Sequence, residues 1–172
     1  MNPVLVLVCG LPGSGKSFFA NHLSKKISAV YFNTDVLRKE LFPINRTYSE
    51  EEKQFVYDTL LLKTEENLKE GKSAIVDATF YKNDLRIPFY TLAQQQHISL
   101  FIFYIEAEEK LIKERTSISR IDSEADYSVY LKLKELFEPI DKPFATFTST
   151  QTNINSLLSS ALTYMNDGTK RD

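Results

Sequence analysis

Short apolar runs alternate with amphipathic stretches along this chain, and the alternation lays out a fold before any motif is considered. Pro3 to Cys9 is continuous and apolar, as a parallel strand buried on both faces would be. Phe18, Phe19, Leu23 and Ile27 follow at the spacing of one inner helix face. Ala29 to Asn33 predicts a second strand, and a short helix runs from there through Leu41. Phe42 to Tyr48, with Pro43 inside it, reads as a loop. Ser49 and Glu52 form a capping-box pattern, and Tyr57, Leu60, Leu61, Thr64 and Leu68 mark the face of a helix ending at Gly71.

The same rhythm continues. Ser73 to Val76 leads a third strand into Asp77, and Phe89, Leu92 and Ala93 share one face of the next helix, whose start Pro88 leaves open. Ser99 to Ile105 is a fourth buried strand, with Leu111, Ile112 and Arg115 on the helix after it. A polar stretch spans Thr116 to Asp126, a helix covers about Tyr127 to Phe137, and Phe144 to Thr148 predicts a fifth, more exposed strand. Ile154, Leu157, Leu158, Ala161, Leu162 and Met165 line a final amphipathic helix, and 166–172 reads as a polar, frayed tail. Strands alternating with helices predict a parallel α/β sheet in one domain over 1–165, with ligands at the carboxyl ends of the strands.

At the first of those strand ends the chain reads GLPGSGKS, residues 10–17. This matches G-x-x-x-x-G-K-[ST] with Gly10, Gly15, Lys16 and Ser17 in the fixed places. Gly13 and Gly15 free the backbone to turn successive N–H groups inward on an anion. Lys16 brings a point charge to the β- and γ-phosphates, the Ser17 hydroxyl can ligate Mg²⁺, and the following helix aims its positive end at the same spot. Pro12 and Ser14 within the loop and Phe18 just after it complete the candidate nucleotide cradle. Of the five glycines in the chain, three fall in this loop.

The residues after the next strands carry the remaining candidate chemistry. Asp35 falls at the carboxyl edge, near the γ-phosphate end of a bound nucleotide, where a carboxylate can accept the proton of an attacking hydroxyl. Arg38, one turn later, is placed to grip an anionic group. The plainer reading has Thr34 or Asp35 capping the short helix and Arg38 in solvent. Asp77 has the Walker-B form, an apolar strand ending in a carboxylate that orients Mg²⁺, or else braces Arg38 across the site. Arg115 and Arg120 flank a polar segment that suits a lid over phosphates; a solvent-facing helix end is the alternative for Arg115. His22 and His97 have no partners at metal-ligand spacing. The helical spacing of Tyr127, Tyr130 and Phe137 favours packing over base stacking.

Composition narrows the picture further. The 172 residues carry 42% hydrophobic and 26% charged side chains with a net charge of −2, which fits an ordinary globular domain. No basic block advertises a nucleic-acid or membrane surface. The single Cys9 excludes an internal disulfide and fits a reducing compartment. The seven-residue apolar run at the start lacks a basic lead, so neither a signal peptide nor a membrane span is expected, and the cytoplasm is the expected location. A GTPase-type switch is disfavoured because Phe80, not Gly, stands three residues after Asp77, and because the only base-recognition-like string is TKRD at 169–172.

Taken together, GLPGSGKS, NTDVLRKEL, VDATFYKNDLR and KERTSISRIDSEADYSVYLKLKELFEP resemble the small P-loop kinases typified by the kinase half of bacteriophage polynucleotide kinase. Similarity to the AAA-type kinases of that group extends over almost the whole length, and zeta toxins and gluconate kinase are more distant relatives. The resemblance implies a five-stranded sheet in the order 2-3-1-4-5, ATP as donor with Mg²⁺, and a hydroxyl as acceptor. It further implies that Lys16 and Ser17 take the donor phosphates and metal. Asp35 becomes the acceptor base, Arg38 the acceptor-phosphate contact, Arg120 a lid arginine, and Asp77 the aspartate after the third strand. The group's acceptors range from nucleic-acid 5′-ends to sugars, so the acceptor stays open. A nucleotide-binding regulatory module with little transfer is the second reading.

Overall fold

The strand β1 (Val4–Cys9) is the axis of the molecule, and its alternating side chains build two separate cores. The computed structural model describes residues 2–117 and 126–168. After β1 come α1 (Lys16–Ile27), β2 (Val30–Asn33), α2 (Thr34–Leu41), α3 (Glu50–Lys69), β3 (Ala74–Asp77) and α4 (Asn83–Gln95). The second half holds β4 (Ser99–Glu106), α5 (Glu109–Ser117), α6 (Tyr127–Leu136), β5 (Ala145–Thr148) and α7 (Ile154–Gly168). The five strands form one parallel sheet in the order β2-β3-β1-β4-β5.

Leu5, Leu7 and Cys9 point to one face, where Val56 and Leu60 of α3 and Phe89 of α4 cover them. Val6 and Val8 point to the other, under Phe19 and Leu23 of α1 and Leu158 and Ala161 of α7. Because every side chain from Leu5 to Cys9 is fully buried, each large one contributes about 1.5–3 kcal/mol of transfer free energy, which fixes the strand's depth and register. Burial also pushes the Cys9 thiol up to about 12, so this residue packs and does not react. The chain runs from β1 towards β2, then crosses back past β1 to β4. Connections therefore diverge at β1, and its carboxyl end opens the crevice where ligands of such sheets bind.

Several local expectations are corrected. Phe18 does not share the inner face of α1: it is 59% exposed, and Ala20 is buried there beside Phe19 and Leu23. The helix opens at Lys16. Only half of the capping box forms. Ser49 Oγ accepts from the Glu52 N–H at 3.2 Å, but the Glu52 carboxylate turns away to Arg38 and Thr47. Helix α4 runs through Pro88 from Asn83, and β5 begins at Ala145. The last helix continues to Gly168, whose backbone lies so close to the Phe101 ring that a Cβ would stand 2.7 Å from it. Thr116 and Ser117 are helical and Asp126 caps α6, so only the middle of the expected lid segment remains, and 118–125, with Arg120, lies outside the described residues.

Candidate active site

The phosphate-type loop leaves β1 through Gly10, whose φ is 152° and where a Cβ would meet the Ile105 carbonyl oxygen at 2.4 Å. No other residue fits that approach to β4. The loop ends at Gly15, left-handed at φ 90°, which occupies the N-cap of α1 without supplying a side-chain cap. The first N–H groups of α1 are thus left for an anion, with the helix dipole behind them. The Gly10 N–H donates to the Thr79 carbonyl at 3.4 Å, and the Ala78 N–H to that of Val8 at 3.2 Å. Those bonds join the loop to the segment after β3.

Asp77 ends β3 with no exposed surface, level with Val8 of β1 and Asn33 of β2. Tyr31 Oη donates to its Oδ2 at 2.7 Å, and Asn33 Nδ2 donates to the same oxygen. The other oxygen, Oδ1, is buried with no hydrogen-bond partner in the protein. Ser17 joins this cluster through Tyr31, whose phenol is pushed up by burial and then by the Asp77 charge. One oxygen fixed and one left open, beside a hydroxyl at the phosphate loop, fits a hard cation held mainly through water and phosphate oxygens. Among the described residues no group of three or more His, Cys, Asp or Glu is arranged to hold a metal by itself.

Asn33 does a second thing. Its Oδ1 accepts from the Val36 N–H at 2.9 Å and caps α2. The cap is therefore neither Thr34 nor Asp35. Asp35, in the first turn, is half-buried between charges. Burial pushes its carboxyl up, the Lys16 ammonium pulls it back, and Asp77 raises it again, for a net upward shift. A carboxylate with a raised pKa, beside Lys16 and not consumed by capping, is suited to take a proton.

Arg38 lies elsewhere in the network from where bracing by Asp77 would put it. Its Nη1 donates to Glu52 Oε1 at 2.7 Å, with the side chains 8% and 5% exposed. The Tyr48 ring covers the guanidinium at 4.8 Å. Arg115, partly buried, is tied back onto the phosphate loop and the segment after β5. Its Nη1 donates to the Gly13 carbonyl at 3.1 Å and to Ser149 Oγ at 2.9 Å, and its Nη2 to the Thr150 carbonyl at 3.0 Å. Ser149 Oγ in turn donates to the Ser14 carbonyl at 2.5 Å. The residues after β5 thus clamp the back of the phosphate loop, where Ser14 itself is buried.

Tyr130 is buried against Leu11 and Ile112, Tyr127 stacks on it at 5.5 Å, and Phe137 packs on Tyr104. Phe18 lies beside His22, ring centroids 4.2 Å apart, on the surface of α1.

Sequence reasoning missed Tyr31, Asn33, Glu52 and Ser149. For three of them a signal existed. Asn33 and Ser149 directly end or follow strands at the carboxyl edge, and Tyr31 lies two residues, hence one strand face, from Asn33.

The profile of the AAA domain family matches residues 5–140. An L-seryl-tRNA(Sec) kinase from Methanococcus maripaludis is 30% identical over 148 residues, covering 81% of this chain and 53% of that protein. The chain thus spans about half the length of this relative. A sugar kinase from Janibacter superposes with a TM-score of 0.72 at 17% identity, covering 95% of each chain. The APS kinase of Mycobacterium tuberculosis in complex with AMPPNP and APS superposes with a TM-score of 0.71 at 16% identity, covering 96% of this chain and 98% of that one. The loop, the sheet order and these likenesses agree, and the chain belongs to the AAA-domain family of small P-loop kinases.

Proposed function

We propose that this chain transfers the γ-phosphoryl group of ATP to a hydroxyl of a small-molecule, nucleotide or nucleic-acid 5′-end acceptor. The observation that carries this reading is Asp35. It sits in the first turn of α2 beside Lys16, its carboxyl pushed up by burial, while Asn33 does the capping that would otherwise explain it.

The loop from Gly10 to Ser17, including Pro12 and Ser14, wraps the donor phosphates, and Lys16 neutralises the β- and γ-oxygens. Phe18 and Arg115 border the cradle, and Arg120 is assigned to the lid. Ser17 and Asp77 would hold Mg²⁺, with Tyr31 and Asn33 fixing the carboxylate; the ion supplies charge neutralisation at the β- and γ-phosphates. Asp35 accepts the acceptor's O–H proton as the oxygen attacks phosphorus. The bond to the β-phosphate oxygen breaks, its electron pair leaves with ADP, and the phosphoryl group ends on the acceptor. Kinases among the relatives, named for seryl-tRNA, sugar and APS, support a hydroxyl acceptor as the class.

The test is purified protein with γ-labelled ATP and Mg²⁺ against pools of nucleosides, oligonucleotide 5′-ends, sugars and small alcohols. Label moving from ATP to one pool is the expected result. ATP bound but label never leaving it except to water would replace the transferase by a binding module or weak NTPase.

A further inference from the structure

Resting on the donor half of that reading, we propose that Ser149 is a positioning residue for the donor phosphates. From behind the loop it turns the peptide between Ser14 and Gly15 so that the Gly15 N–H faces the anion.

The bonds behind the loop run in one direction. Arg115 has only donors to give, and its Nη1 donates to Ser149 Oγ at 2.9 Å. Ser149 has a single hydroxyl proton, and this one goes to the Ser14 carbonyl at 2.5 Å. In a trans peptide the carbonyl of one residue and the N–H of the next point opposite ways. Holding the Ser14 carbonyl back towards Ser149 therefore sends the Gly15 N–H forward. Arg115 holds the Gly13 carbonyl likewise at 3.1 Å, and the Ser14 N–H closes a turn on the Leu11 carbonyl at 3.2 Å. Gly15 is thus the first donor of a row that continues into the opening N–H groups of α1.

Ser149 is itself buried and held on both sides. Its N–H donates to the Glu106 carbonyl at 2.7 Å. Asn153 brackets it, accepting from the Thr150 N–H at 2.9 Å and donating to the Thr148 carbonyl at 2.9 Å. The approach to the loop is close: a Cβ on Gly15 would stand 2.8 Å from Ser149 Oγ and 3.2 Å from Arg115 Nη1. Gly15 is needed for this contact as well as for its φ of 90°. A peptide dipole that is already aimed costs no reorganisation when the anion arrives, and the Arg115 cation polarises the bonds ahead of it. Without the hydroxyl, the Ser14 carbonyl loses its partner and the peptide is free to rotate.

The experiment measures binding and needs no turnover. Wild type and Ser149→Ala are titrated by calorimetry with ATP and with inorganic tripolyphosphate, each with Mg²⁺. Tripolyphosphate carries the phosphates without base or sugar. Ser149→Ala should bind both about three- to tenfold more weakly, the worth of one hydrogen bond, and by the same factor. A loss on ATP alone would put Ser149 at the base, and unchanged affinity for both would leave it a structural residue; either result overturns the proposal. A second measurement uses the wild type alone, so it stands even if the variant does not fold. The Gly15 amide proton should move downfield in NMR spectra when ATP and Mg²⁺ bind. A Gly15 amide that stays in place while those of Lys16 and Ser17 shift overturns the proposal as well. An equal loss of both ligands in Ser149→Ala, with no label passing from γ-labelled ATP to any acceptor in the wild type, would fail the transferase reading alone.

Discussion

Asn33 and Asp77 face each other across the β2–β3 pair, and one asparagine side chain serves both the helix that starts beside it and the carboxylate opposite. Its amide nitrogen fixes Oδ2 of Asp77, while its carbonyl oxygen caps α2 and so sets where Asp35 stands. Asp35 and Asp77, the proposed base and the proposed metal carboxylate, are positioned by the same residue.

Asn33→Ala should therefore lower stability by about 1–3 kcal/mol, from the lost cap and the lost bond to a buried carboxylate. It should also raise the Mg²⁺ concentration needed for half-maximal turnover. Asn33→Ser keeps a capping oxygen but has no amide donor. Thermal melts and Mg²⁺ titrations should show stability largely recovered in the serine variant and the Mg²⁺ requirement unchanged from alanine. Full recovery of both would leave Asn33 as a cap alone.

Lys16→Ala removes the charge aimed at the β- and γ-phosphates while leaving the loop glycines in place. Calorimetry with ATP and Mg²⁺ should show affinity reduced to the limit of detection, with the melting temperature of the nucleotide-free protein little changed. Unaltered affinity would mean that the loop does not bind phosphates.

Most elements were legible in the sequence because they rest on periodicity, and a buried parallel strand such as Val4–Cys9 leaves a continuous apolar run. The strand order came from the resemblance to the small P-loop kinases and not from the pattern. The phosphate loop was legible because its glycines and Lys16 are demanded by local geometry. The second layer of the site was not. Glu52 looked like half of a capping box, and only the fold shows that Arg38, 14 residues away, claims its carboxylate. Arg115 read equally well as lid or as surface, since its partners Gly13 and Ser149 are 102 and 34 residues distant. Phe18 fitted the helical period but fell just outside the buried stripe of α1. Periodicity marks faces; it does not mark long-range polar partners.

Glu52 gives the fold a defined acid limb. Its carboxyl sits at about 2 against an ordinary 4.5. Between those values the unfolded chain binds more protons than the folded one, so stability falls as pH falls. The contribution is fully present above pH 4.5 and lost as pH drops towards about 2. Urea unfolding across that window should show wild type losing stability faster than Glu52→Gln, which has no carboxyl to protonate. Parallel curves would mean that the Arg38–Glu52 pair adds nothing.

The central claim is that Asp35 takes the acceptor's proton, and Asp35→Asn tests it most directly. Asn33 holds the cap, so the variant should fold and melt like wild type. ATP affinity should be nearly unchanged, because the donor is held by the loop and Lys16. Label transfer from γ-labelled ATP to the best acceptor should fall by about 10²–10⁴-fold, the usual worth of a positioned general base. A folded, ATP-binding Asp35→Asn that still transfers phosphate at the wild-type rate would contradict the account.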